Sequence, residues 1–149
     1  MSKLFLYILN LIKKVFNWKT EVPELDDFDK NSIDGFGSLL NKLRENNSLL
    51  PLWRCEILDE EARKHAVDMC KANSLFYNLD YVALNYKMQS IEVFINRAAM
   101  NVGNCNGNYK DMFRDMASDI KLRNNFIDGR FVYFGVSKCE NYWAIVFTG

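Results

Sequence analysis

Only one histidine, His65, is present in the chain, and this limits the catalytic chemistry that the sequence can support. A Ser/His/Asp triad, a Cys/His pair or a histidine-rich zinc site would each have to use it. Helical spacing places His65 between Ala62 and Met69. The neighbouring sequence contains no clear nucleophile or acid. We therefore expect a hydrogen-bonded, partly buried side chain rather than a general base. Three carboxylates elsewhere are expected to be solvated helix charges: Glu92, Asp115 and Asp119.

The four cysteines are spaced too widely for a zinc knuckle or a redox pair. Cys55, Cys70, Cys105 and Cys139 never fall within four positions of one another, so the chain holds no CxxC motif. An even number permits two disulfides, but a domain of this size and apolar content can fold without them. The spacing therefore favours four reduced, buried thiols over bridges. No metal and no other cofactor is expected.

Composition and charge exclude several classes of protein. The chain has 149 residues, the size of one domain, and 49% of them are apolar and 14% aromatic, enough to bury a core. Nineteen basic residues balance nineteen acidic ones. A neutral chain has no field that would hold a phosphate backbone through counterion release, so nucleic acid is not expected as a partner.

Hydrophobic spacing predicts three helices that would position these side chains. The first runs from Ile33 to about Asn46, and Pro51 prevents its continuation. Asp59 is expected to cap the second helix, whose small inner residues indicate close packing. The third helix is expected to follow Asn108. The residues expected on the buried sides of the second and third helices are Ala62, Ala66, Met69 and Cys70, and then Tyr109, Met112, Phe113, Met116 and Ile120.

Alternating apolar residues predict three strands. In the stretch 81–88, Val82, Leu84, Tyr86 and Met88 would lie on one side of a strand. The aromatic and β-branched stretches 130–136 and 142–148 predict a closing hairpin with the polar turn 137–141. Helices flanking a mainly antiparallel sheet belong to the α+β class, and an α-β-α sandwich would cover both faces of the sheet.

Residues 1–18 form a separate apolar segment. At roughly 100° per residue, its polar positions fall within an arc of about 100°, which leaves a wide apolar face to be covered. The segment lacks the cleavage site of a secretory signal, is interrupted by Lys13 and Lys14, and is too short to span a membrane. We therefore expect a docking helix for a protein partner, with a membrane surface as the second possibility. Its expected contact residues are Phe5, Ile8, Leu9, Ile12 and Phe16.

Residues 19–32 are expected to be a solvated acidic linker around Pro23. The spacing of its acids lacks the glycine and terminal glutamate of a calcium-binding loop. The acids are Glu21, Glu24, Asp26, Asp27 and Asp29. The expected organisation is thus a docking helix over 1–18, a linker over 19–32 and one domain over 33–149.

Several short motifs between Phe36 and Gly149 resemble one known family in their order and spacing. The motifs are Leu39-Leu40-Asn41-Lys42-Leu43-Arg44, Leu50-Pro51-Leu52-Trp53, Leu58 with Ala62, His65-Ala66 and Asp68-Met69, Met100-Asn101-Val102, Asp115-Met116-Ala117-Ser118 with Asn124, Tyr133-Phe134-Gly135-Val136, and Tyr142-Trp143-Ala144-Ile145-Val146-Phe147. Together they resemble the CAP or SCP domain of cysteine-rich secretory proteins, antigen five and plant pathogenesis-related proteins. The resemblance implies an α-β-α sandwich of CAP type.

The sequence departs from that family at its cleft, where two histidines and acidic residues can hold a divalent metal. By resemblance, Tyr77 and Lys121 stand in place of the two histidines, and Met100 stands in place of the motif glutamate. None of the three is a suitable metal ligand here, and Lys121 would add positive charge where a cation should bind. We expect a degenerate cleft with no catalytic residues, in which Tyr77, Asn101 and Lys121 could contact a polar ligand.

Two functions follow from these expectations. In the first, a non-enzymatic CAP-like domain is a structural or adhesive component of a larger assembly, such as a virus or bacteriophage particle, and docks through residues 1–18. In the second, a secreted or membrane-anchored CAP protein binds lipid, sterol or glycan in its cleft. The first is favoured because the cleft residues are replaced and the N-terminal segment has no cleavage site. The expected location is a virion or another assembly, with a membrane or the extracellular space as the alternative.

Overall fold

A computed structural model describes residues 3–8 and 33–149 of the chain. Within these residues the helices are α1 (3–8), α2 (Ile33–Asn46), α3 (Glu56–Ala72), α4 (Tyr81–Gln89), α5 (Tyr109–Ser118) and α6 (Ile120–Phe126). The strands are β1 (Trp53–Arg54), β2 (Ala98–Asn104), β3 (Tyr133–Cys139) and β4 (Tyr142–Thr148). The acidic linker and the expected contact residues Leu9, Ile12 and Phe16 lie outside the described residues.

The four strands form one mixed sheet in the order β1-β3-β4-β2. The short β1 pairs with β3 in parallel, whereas β4 pairs antiparallel with both β3 and β2. All seven residues of β4 are buried, because this strand is central and is covered on both faces. The sheet and its flanking helices confirm the α+β class.

The core has two layers, one on each face of the sheet. In the first layer, α2, α5 and α6 pack aromatic and aliphatic side chains against Trp143, Ile145 and Phe147 of β4. In the second, α3 and α4 pack against Ala144 and Val146 of the same strand. Successive side chains of β4 point to opposite faces of the sheet, so the strand contributes to both core layers. The chain is the expected α-β-α sandwich.

Close approach between α3 and β3 depends on small residues. Ala62 and Ala66 are fully buried on the inner side of α3. A Cβ atom added to Gly135 of β3 would overlap the backbone of Leu58 and Asp59. The expectation of close packing at the second helix is thus confirmed at the level of single atoms.

The predicted strand over 81–88 is wrong, because these residues form α4. Asp80 caps the helix by accepting a hydrogen bond from the backbone N–H of Ala83 at 3.0 Å. Only Leu84 and Met88, one helical turn apart, are buried, while Val82 and Tyr86 face solvent. A short apolar run fits both the two-residue period of a strand and the 3.6-residue period of a helix. The alternation alone therefore could not distinguish a strand from a helix.

The predicted start of the second helix and the length of the third are also wrong. Helix α3 begins at Glu56, ahead of Asp59, whose carboxylate instead accepts from the backbone N–H of Val136 at 3.0 Å. The third helix stops at Ser118, and Asp119 caps a separate helix by accepting from the next turn. Ile120, expected on the buried stripe, is consequently exposed.

The closing hairpin is confirmed, but its first strand and its turn have different bounds from those predicted. Its first strand starts at Tyr133 and continues to Cys139, so the turn contains only Glu140 and Asn141. Glu140 adopts the left-handed backbone conformation, with φ of 52°, that a tight turn of this kind requires. Strand β2 was not predicted, because its sequence, AAMNVGN, has few β-branched residues.

Candidate functional site

Met100 and Asn101, two of the expected cleft residues, are neighbours in β2 and point to opposite faces of the sheet. Met100 belongs to the core layer beneath α3 and α4. Asn101 is completely buried on the other face. Its Nδ2 donates to the carbonyl of Leu122 at 3.0 Å, and its Oδ1 accepts from Nδ2 of Asn125 at 2.7 Å. The Asn101 amide therefore holds α6 onto the sheet, and both of its ends are occupied by protein groups.

The other two expected cleft residues lie on the surface. Tyr77 is exposed in the connection between α3 and α4. Lys121 is exposed in the first turn of α6, where its backbone N–H donates to the capping carboxylate of Asp119. None of the three cavities described below is lined by Tyr77, Met100, Asn101 or Lys121.

These positions do not fit the divalent metal that the family resemblance implies. Met100 is packed in apolar core, the fully buried Asn101 amide is bonded at both ends to α6, and Lys121 is cationic. Within the part of the chain that the structure describes, no three His, Cys, Asp or Glu side chains converge on one point. A hard or borderline cation needs several such oxygen, nitrogen or sulfur ligands.

His65 is buried and anchors the connection that follows α3. Its Nε2 donates to the backbone carbonyl of Phe76 at 2.6 Å, and its ring meets the ring of Phe76 edge to face at 5.0 Å between centroids. This arrangement matches the expectation of a hydrogen-bonded histidine on the face of a helix. The three carboxylates singled out above are exposed, and that of Asp119 caps α6.

Arg44 is a buried cation whose role the sequence pattern did not predict. Its guanidinium donates to the carbonyls of Leu50 at 2.7 Å and of Phe126 and Asp128 at 2.9 Å each. Burial lowers the pKa of Arg44 to about 10, against the opposing effect of the Asp128 carboxylate. Because a buried charge is costly without partners, these carbonyls make Arg44 a clamp between the end of α2 and the end of α6.

Next to this clamp, α1 contributes Phe5 to a cavity of the domain. The cavity has a volume of about 320 Å³ and is lined mainly by the α2–β1 and α6–β3 connections. Its apolar walls include Leu50, Pro51, Trp53 and Phe131. Phe5 is half-buried there, whereas four other apolar side chains of α1 remain exposed: Leu4, Leu6, Tyr7 and Ile8.

Two further grooves lie between helices. The groove between α3 and α4, of about 430 Å³, is crossed by the ion pair of Glu61 with Lys87. Hydrogen bonding to Glu61 raises the pKa of Lys87 above its ordinary value. The groove between α2, α5 and α6, of about 370 Å³, has a basic rim over an apolar floor. The rim consists of Lys110, Arg114 and Arg123, and the floor consists of Leu39, Phe113 and Ala117.

Helix α4 exposes the apolar side chains of Val82 and Tyr86, and the segment that follows it exposes those of Ile91 and Phe94. The exposed fractions of Val82, Tyr86 and Phe94 are 76%, 78% and 75%. Val82 and Tyr86 are four residues apart, so they are neighbours on the surface of the helix. No described helix is long and apolar enough to cross a bilayer.

Comparisons with known proteins show the fold but not the family's activity. No family model matches the sequence, and no curated protein is similar to it. Among solved structures, an extracellular protein containing an SCP domain from Bacillus anthracis matches with a TM-score of 0.67 and 18% identity, over 77% of this chain and 39% of that one. A cysteine-rich secretory protein from Staphylococcus aureus matches with a TM-score of 0.64 and 15% identity, over 85% of this chain and 40% of that one.

A third match is an outer surface protein from Borrelia burgdorferi, with a TM-score of 0.64 and 12% identity, over 82% of this chain and 92% of that one. The chain thus spans about two fifths of the length of the first two proteins. Likeness at such low identity is a likeness of architecture. The chain has the CAP/SCP fold, as the sequence motifs predicted.

Proposed function

We propose that this CAP-like domain is a non-enzymatic interaction module that docks into a larger protein assembly through its N-terminal apolar segment. The observation that carries the proposal is the state of α1, where Phe5 lines a cavity of the domain while Leu4, Leu6, Tyr7 and Ile8 stay exposed. Each large apolar side chain that a partner covers would contribute roughly 1.5–3 kcal/mol relative to exposure. A structural role in a particle such as a virion is the form of this function that we favour.

The absence of catalysis belongs to the same proposal. The positions that the family resemblance places at the cleft are a core methionine, an asparagine with both ends bonded, and two surface residues, Tyr77 and Lys121. His65, the one histidine, uses Nε2 to bind the Phe76 carbonyl. A general base needs a free nitrogen within reach of a reacting group, and no described cavity is lined by His65.

The docking segment is tested by native mass spectrometry of the complex isolated from the producing cells with the tagged full chain. The intact chain and a variant with Asn10→Asp and Asn17→Asp, which adds two charges on the polar side of the segment, should carry the same partner masses. A variant with Ile8→Asp and Ile12→Asp, which adds two charges on the apolar side, should lose them. Deleting residues 1–18 should also lose them and leave a soluble, folded domain from about Ile33.

Three controls identify the results that would contradict the proposal. If a chain with Val82→Asp and Tyr86→Asp loses the partners while the Ile8→Asp, Ile12→Asp chain keeps them, α4 is the docking surface and the proposal is wrong. If the deleted chain unfolds in circular dichroism, the segment belongs to the domain's own core. Flotation of the purified chain with phosphatidylcholine and phosphatidylglycerol vesicles, in the absence of partners, would instead support a membrane surface.

A second candidate function is binding of an anionic amphiphile in the groove between α2, α5 and α6. A basic rim over an apolar floor suits a ligand with a charged head and an apolar body. The extracellular and outer-surface proteins of the same fold make a secreted or surface location the natural setting for this function. Retention of a fatty acid by the purified domain, lost in Arg114→Glu but not in Arg63→Glu, would favour it over docking.

A further inference from the structure

One of the three cavities described above has an almost completely buried charge in its wall. It is the cavity of about 320 Å³ between the α2–β1 and α6–β3 connections, and it is lined by Arg44, which is 1% exposed. The charged residues that line the other two cavities are all at least partly exposed. The apolar part of the wall includes Leu50, Pro51, Trp53, Phe131 and Val132.

The guanidinium of Arg44 has two N–H groups that the domain does not use. A guanidinium carries five N–H groups in all. Nε donates its one N–H to the Leu50 carbonyl, and Nη1 donates its two to the carbonyls of Phe126 and Asp128. Among the described residues, no group accepts a hydrogen bond from Nη2. Nη2 is thus the nitrogen of Arg44 whose N–H groups can serve a ligand.

The charge of Arg44 also lacks a carboxylate in direct contact. In the part of the chain that the structure describes, no Asp or Glu forms an ion pair with it. The carboxylate of Asp128, which acts on Arg44 electrostatically, is paired with Arg130 at 2.7 Å. The pKa of Arg44, lowered by burial to about 10, still leaves the guanidinium charged at pH 7. Because carbonyls accept hydrogen bonds but cancel no net charge, an anion in the cavity would complete the surroundings of this cation.

We propose that this cavity binds a small organic acid, whose carboxylate accepts hydrogen bonds from Nη2 of Arg44 and whose apolar body contacts Trp53 and Phe131. Ligand pockets typically have apolar walls with a few placed polar groups and volumes of about 300–1,000 Å³, so this volume favours a small molecule. A guanidinium suits a carboxylate because its N–H groups lie in one plane and its charge is weakly hydrated. The site does not depend on the docking function, and it is separate from the groove between α2, α5 and α6.

The test titrates the purified full chain with phenylacetate and with phenylacetamide, which has a similar shape and no charge. Calorimetry at pH 7 should find phenylacetate bound about tenfold more tightly or better, because hydrogen bonds to a charged group are stronger than those between neutral groups. In NMR spectra of the chain, the backbone N–H signals that shift with phenylacetate should be those of residues 48–53 and 129–132.

Two variants identify the site. Val132→Trp fills the cavity and leaves Arg44 unchanged, and the fold can accept the larger side chain because Val132 is 43% exposed. This variant should lose measurable binding of phenylacetate. Val82→Trp, the matched control, makes the same change at an exposed position on α4 and should bind as the unmutated chain does. Arg44→Ala, where circular dichroism shows it to be folded, should lose the preference for phenylacetate over phenylacetamide.

Four results would overturn the proposal. The first is no binding of phenylacetate by the unmutated chain, and the second is equal affinity for phenylacetate and phenylacetamide. The third is unchanged binding by Val132→Trp. The fourth is a set of shifted signals around Lys110, Arg114 and Arg123, which would place the acid in the groove between α2, α5 and α6 instead. None of these results bears on the partner masses that test the docking function.

Discussion

The two faces of the sheet are packed by different means. On the face beneath α2, α5 and α6, the rings of Phe113 and Phe126 stack at 5.3 Å between centroids, and Phe36 meets both rings edge-on. On the face beneath α3 and α4, small and flexible side chains such as Ala62 and Met88 fill the layer. Large rings keep the helices of the first face at a distance, whereas small residues bring α3 against the backbone of β3.

The buried polar anchors follow the same division. Arg44 serves the aromatic face and supplies hydrogen bonds to three carbonyls, those of Leu50, Phe126 and Asp128. His65 serves the other face and supplies one hydrogen bond, to Phe76. Each face of the sheet therefore has its own buried side-chain donor that holds the connections on that face in place. A change on one face is therefore expected to leave the other intact, within the usual additivity of distant sites.

The largest effect is expected from the aromatic face. Phe126→Ala removes a fully buried ring that contacts Phe36, Phe113 and Phe147. The free energy of unfolding should fall by about 3–5 kcal/mol, because the variant loses the hydrophobic burial of the ring and leaves a cavity in its place. Phe94→Ala is the matched control, since Phe94 is exposed. Equal losses for the two variants in urea unfolding would show that the ring cluster does not hold this face together.

The next effect is expected at the Arg44 clamp. Arg44→Ala leaves three carbonyls without their donor and should cost about 2–4 kcal/mol in urea unfolding. Arg63→Ala removes an exposed arginine paired with Glu60 and should leave the free energy of unfolding nearly unchanged, because solvent screens a surface ion pair. A loss for Arg44→Ala no greater than for Arg63→Ala would contradict the role assigned to the buried guanidinium.

A smaller loss is expected where α3 approaches β3. Gly135→Ala places a methyl group against the backbone of Leu58 and Asp59, which can only be relieved by moving the helix. The expected loss is about 1–3 kcal/mol by thermal unfolding. Gly129→Ala is the control, because the atom nearest to the added methyl is the end of the flexible Leu49 side chain at 3.2 Å. A Gly135→Ala domain as stable as the control would refute the close contact.

The smallest effect is electrostatic and depends on pH. Hydrogen bonding to Arg130 holds the pKa of the Asp128 carboxyl below its ordinary value. Because the pKa is lower in the folded state, the ionised carboxyl stabilises the domain at pH values above the unfolded-state pKa of 3.8. This stabilisation is lost as the pH falls through the folded-state pKa. Asp128→Asn should therefore cost below about 1 kcal/mol at pH 6, since Arg130 is well exposed. The difference should shrink toward pH 2, and a difference that does not change with pH would exclude this pair as its source.

Much of the architecture could be predicted from local pattern, whereas the site could not. The first helix, the closing hairpin and the α+β class follow from periodicity and from aromatic and β-branched content. Strand β2 and helix α4 did not, because their residues take their state from what they pack against. Asn101 is buried in a strand only because β4 and α6 satisfy both its backbone and its amide.

The sequence by itself determined that one neutral, apolar-rich domain with a single histidine folds into an α-β-α sandwich, because these properties depend on composition and short-range spacing. Only the tertiary structure decided which side chains become neighbours. Arg44 meets the Phe126 carbonyl from a position 82 residues away, and Tyr142 meets Asn73 from a position 69 residues away. Such contacts depend on the order of strands and the approach of helices, and no local pattern of residues records either of them.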